Sequence, residues 1–170
     1  MVDSKLISAS LLLLISLFFL SGVVRVSSDS GSGAFTFTVD GYAVTGDLTG
    51  ASIGHDGTIQ MLMSIDQTVS TSYGTVYVTG NGVWNGQTDF NTMSGVIENV
   101  TGTAKACAVF YCQSVDFTGQ GTWSGTVAWS DPAGLVGSGM FQGTLNFTGQ
   151  QLNQTKSVPV SGNWTATFET

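Results

Sequence analysis

The sequence predicts an all-β chain. It reads as an antiparallel meander of about nine or ten strands, strongly coiled and closing as a barrel rather than a sandwich. One N-terminal hydrophobic helix precedes it. Three observations predict this. From residue 34 onward, apolar and polar residues alternate with the period of a half-buried strand. Turn chemistry separates the alternating runs: "DG" at 40–41, "HDG" at 55–57, "NG" at 81–82 and 85–86, and "DPAG" at 131–134. A glycine also recurs within the apolar face of one run after another: Gly46, Gly80 or Gly82, Gly95, Gly125, Gly143 and Gly162.

The N-terminal segment carries no charge between Lys5 and Arg25. That run is longer than a signal-peptide core and close to the ~20 residues that span a bilayer. Residues 1–28 therefore read as a signal peptide, cut near Ser28, or as an uncleaved membrane anchor. Residues 29–33 complete the Ser/Gly-rich "SSDSGSG" and serve as a flexible linker. Residues 34–170 form a single β-domain. Either reading of the leader places that domain outside the cell or on its surface.

The alternating faces follow in order. Phe35, Phe37 and Val39 share one face, with Thr36 and Thr38 opposite. Tyr42, Val44, Gly46 and Leu48 share the next, then Ile59, Met61, Met63 and Ile65. Val76, Val78, Gly80, Gly82 and Trp84 follow, then Met93, Gly95 and Ile97. "GTWSGTVAW" (121–129) puts Trp123, Gly125, Val127 and Trp129 on one face. Phe141, Gly143, Leu145 and Phe147 come next, and last Val160, Gly162, Trp164, Ala166 and Phe168. Glycine between bulky neighbours lets a long strand bend, as a tightly coiled or closed sheet requires. The same glycines also read as space for an apolar ligand, with Trp123, Gly125, Trp129, Gly143 and Trp164 as its wall.

Cys107 and Cys112 enclose "AVFY". Four intervening residues suit a short hairpin, whose facing positions approach closely enough for a disulfide. A disulfide agrees with an oxidising compartment. Four sequons begin at Asn99, Asn146, Asn153 and Asn163. A glycan at Asn146 or Asn163 must point into solvent, which turns the apolar face inward.

Composition excludes several functions. Charged residues make up 9% of the chain and the net charge is −7. Past the leader the only cationic side chains are Lys105 and Lys156, too few to neutralise a nucleic-acid backbone. His55 is the single histidine and sits in a turn. The carboxylates Asp40, Asp47, Asp56, Asp66, Asp89, Glu98, Asp116, Asp131 and Glu169 are scattered singly. No nucleophile elbow, zinc, phosphate-loop or dinucleotide motif occurs. The expectation is a non-enzymatic exported β-domain with a structural or adhesive role, with no cofactor and no catalytic or metal site. Its partners are unassigned beyond a membrane contact through an uncleaved leader, self-association or a surface partner. Two other readings stand beside it: a barrel holding a small apolar ligand, and a pilin-like filament subunit. Leu6 after Lys5 departs from the small residue that a prepilin cleavage site needs.

Overall fold

The computed structural model describes residues 31–39, 42–71, 74–108, 111–130, 133–149 and 155–169. The leader, linker residues 29 and 30 and Asn153 lie outside them, whereas Ser32 and Gly33 of the expected linker are in a strand. The described chain is a closed antiparallel barrel of eight strands in simple meander order. The strands are β1 (Ser32–Val39), β2 (Tyr42–Ile53), β3 (Thr58–Thr71), β4 (Gly74–Thr88), β5 (Thr92–Ala108), β6 (Tyr111–Ser130), β7 (Gly134–Thr148) and β8 (Lys156–Phe168). β1 pairs with β8, so Phe35 faces Trp164 and the sheet has no free edge.

The expectation of a closed barrel holds, but the strand count is corrected. There are eight strands of 8 to 20 residues, not nine or ten. The two "NG" pairs are not turns. Asn81, Gly82, Asn85 and Gly86 all lie within β4 and pair with β3. In β5 an extra residue is absorbed where Ile97 and Val100 bracket Glu98 and Asn99, opposite Gln120. Asn99 adopts φ 54° there, a left-handed conformation that Asn tolerates better than most residues. The bulge bends the strand without ending it.

The apolar faces point inward as the alternation predicts. Phe35, Phe37, Met61, Ile65, Trp84, Phe117, Trp123, Phe141 and Trp164 are all buried in one core, and no polar or charged residue is buried among the described residues. Trp84, with no exposure, is the hub. Its ring lies 5.2 Å from Phe141, 5.9 Å from Phe35, 6.0 Å from Trp123 and 6.3 Å from Trp164, centre to centre. Such tilted and edge-on pairs suit the charge distribution of aromatic rings.

The even-numbered strands share a pattern that alternation alone does not reveal. Each carries glycine, any residue, a large apolar residue, any residue, then glycine or alanine. The four copies are Gly46–Gly50, Gly82–Gly86, Gly121–Gly125 and Gly162–Ala166. Their centres are Leu48, Trp84, Trp123 and Trp164, one per hairpin, and all four are buried. In two copies the reason is visible. Trp164 on β8 stands opposite Gly139 on β7, and Gly139 stands opposite Gly125 on β6. The indole lies across both glycines, and its Nε1 donates to the Ser124 carbonyl at 3.2 Å. Trp123 repeats the arrangement two strands round. It stands opposite Gly95, which stands opposite Gly86, and its Nε1 donates to the Asn85 carbonyl at 3.2 Å. A β-carbon on Gly86 would come to 2.5 Å from Trp123 Cζ2.

Candidate functional site

The interior is the first place to look for a site, because the predicted apolar wall faces it. Trp123 and Trp164 do sit in the core, and Gly125 and Gly143 line it half-buried. Their rings and close strand contacts occupy the space that the glycines open. A β-carbon on Gly125 would meet Trp164 Cζ2 at 2.7 Å, and one on Gly143 would meet the Gly121 Cα at 3.1 Å. An interior space of about 40 Å³ lies among apolar side chains such as Phe35, Trp84 and Phe141. A small-molecule pocket needs several hundred cubic ångströms. Trp129 is corrected: it is 73% exposed and lies outside the core. Alternation fixes which face a side chain takes, not its height along the barrel. β5 begins at Thr92, opposite Thr126, so Trp129 projects past the last paired residue of its neighbour.

The outer wall is different. A groove of about 750 Å³ crosses β5 to β8 and reaches Thr38 of β1. Gln120, Thr122, Gln142, Thr144 and Ser161 supply amides and hydroxyls to it. Val96 and Pro159 supply apolar surface, and Glu98 supplies a charge. Its floor includes Gly121 and Gly143, directly opposed on β6 and β7. A wall with no inward side chain can sit closer to the barrel axis, which leaves a depression outside. The Glu98–Asn99 bulge lies beside the groove, as bulges often lie beside sites. Glu98 Oε2 accepts a long hydrogen bond of 3.4 Å from Asn85 Nδ2. The groove offers many neutral hydrogen-bonding groups on rigid strands. Among the described residues, no histidine, cysteine or lysine lines it.

Among the described residues, the titratable side chains singled out by sequence are dispersed, and Asp40 and Asp131 lie outside the described residues. His55 is exposed in the β2–β3 turn. Its neighbour Asp56 accepts from the Thr58 hydroxyl at 2.6 Å and the Thr58 amide at 3.0 Å. Those bonds hold the Asp56 carboxyl below the ordinary aspartate range. Asp116 accepts from the Thr103 hydroxyl at 2.9 Å on the outer wall. Among the described residues, no three His, Cys, Asp or Glu side chains gather where they could hold a metal ion.

Cys107 and Cys112 stand directly opposite one another on β5 and β6, Cα atoms 4.0 Å apart, and are joined by a disulfide. Of the described sequons, Asn99 and Asn163 are exposed on the outer wall. Asn146 is half-buried there, and its Oδ1 accepts from the Ser157 hydroxyl at 2.6 Å.

Comparison with protein-family models, with curated proteins and with solved structures finds no match to this chain.

Proposed function

We propose that the chain is a non-enzymatic, exported β-domain of the cell surface or its surroundings, with an adhesive role exercised through its outer wall. One observation carries this reading. The interior space among Phe35, Trp84 and Phe141 is about 40 Å³, while the outer wall carries a groove of about 750 Å³. Space for a partner is therefore outside. The groove's amides and hydroxyls match a neutral, hydroxyl-rich ligand such as a saccharide chain, which is recognised by many uncharged hydrogen bonds. The Cys107–Cys112 disulfide supports export, since such bridges persist in oxidising compartments. The uncharged run between Lys5 and Arg25 supports either anchoring or secretion. The interior does not support the small-ligand carrier. A pilin-like subunit gains no separate observation.

The test joins location to binding. Lys105 and Lys156 are labelled with a membrane-impermeant amine reagent on intact cells, and the barrel is also tested for retention on neutral polysaccharide. The expected result is labelling without lysis, and retention that is lost in Gln142→Arg. Gln142 is exposed, so the longer cationic side chain enters the groove and leaves the core untouched. Labelling only after lysis contradicts export. Equal behaviour of the wild type and Gln142→Arg contradicts the groove.

A further inference from the structure

We infer that the barrel rim carrying Phe90 and Trp129 rests on the lipid bilayer that holds the leader. This rests on the anchor form of the export reading. The polar groove plays no part in it.

Gly31, the first described residue, is fixed at one end of the barrel, where its carbonyl accepts from the Ala51 amide at 2.8 Å. The β4–β5 loop and the end of β6 lie at that same end, because each strand of a meander reverses the last. Only residues 26–30 separate Arg25 from Gly31, a stretch that reaches roughly 20 Å fully extended. An apolar run embedded before Arg25 therefore keeps this end, and not the disulfide end, against the bilayer.

This end of the barrel also displays aromatic rings. Trp129 is 73% exposed and Phe90 54% exposed. The two flank one contact, the Val127 amide donating to the Asn91 carbonyl at 3.2 Å. They therefore share one stretch of rim. Phe90 is held at φ 67°, a conformation rare for a bulky residue. Its amide donates to the Thr88 hydroxyl at 2.9 Å, and Asp89 Oδ1 accepts from the amides of Asn91 at 2.8 Å and Thr92 at 2.6 Å. The loop thus presents the ring to solvent on a rigid support. Trp and Phe are the side chains that settle at a bilayer interface. Asp56, Asp89 and Glu169 also lie at this end. The attraction is therefore apolar, and zwitterionic lipid is the matching surface.

Full-length chain is reconstituted into phosphatidylcholine vesicles whose acyl chains are brominated near the headgroup. Bromine quenches only nearby indoles, and Trp84, Trp123 and Trp164 are shielded in the core. The expected result is partial quenching that disappears in Trp129→Gln and weakens in Phe90→Asn, where Asn tolerates the left-handed backbone. Protein that sediments with vesicles but shows no quenching, or the same quenching in Trp129→Gln, overturns the seating and leaves the anchor standing. Protein that fails to sediment with vesicles overturns both.

Discussion

The indole of Trp164 lies against Gly125: a β-carbon on that glycine would stand 2.7 Å from Trp164 Cζ2 and closer still to the Ser138 carbonyl oxygen. Trp164 is on β8 and Gly125 on β6, with Gly139 of β7 between them in register. The glycine is therefore a seat for a ring that arrives from two strands away. Gly86 does the same for Trp123. A flat ring spread over two glycines satisfies three needs at once. It fills the barrel, it covers backbone that lacks side chains, and it brings the indole N–H to a strand carbonyl.

Reduction of Cys107–Cys112 is expected to weaken the barrel without opening it. The bridge closes a short loop, so the entropy it removes from the unfolded chain corresponds to about 2 kcal/mol. β5 and β6 stay in register through pairs far from the bridge, such as Met93 with Gly125 and Gly102 with Phe117. Urea unfolding with and without reductant checks this. A lowered midpoint with one cooperative transition is expected. An unchanged midpoint contradicts a stabilising bridge.

Asp89 is expected to titrate below ordinary aspartate. The Thr92 amide, then the Asn91 amide, donate to its carboxylate and favour the charged form. A folded-state value below the unfolded one means that the loop gains support above the unfolded value and loses it as pH falls through the folded value. The window is therefore strongly acidic, below the usual aspartate range near 3.8. Carboxyl chemical shifts followed by NMR give the midpoint. A midpoint at or above the ordinary value contradicts the hydrogen bonding described for the Phe90 loop.

Much of the fold was legible in the sequence, for a physical reason. Alternation reports which face is dry, and the inward residues of β3 and β7 follow it closely: Ile59 to Ile65, and Phe141 to Phe147. The cysteine spacing also matched a hairpin. What failed were judgements that need register. Asn81-Gly82 and Asn85-Gly86 have turn chemistry, yet β3 and β5 pair on both sides of them, and long-range pairing overrides the local preference. Trp129 has the right face but the wrong height, which depends on where β5 begins. The groove was invisible, because its lining comes from five strands and its residues are ordinary outward Thr, Ser and Gln. The repeat around Leu48, Trp84, Trp123 and Trp164 was present in the letters. Its meaning needed the register that sets each tryptophan across its glycines.

Gly86 and Gly125 seat the rings of Trp123 and Trp164, leaving no room for a β-carbon. Gly125→Ala tests this most directly, in the absence of any ligand. Overpacking against Trp164 and a strand carbonyl should lower the urea midpoint by the equivalent of about 1–3 kcal/mol, with the denaturant slope unchanged. A midpoint that stays the same or rises would mean that the β-carbon finds room beside Trp164 and that Gly125 is not a seat for the ring.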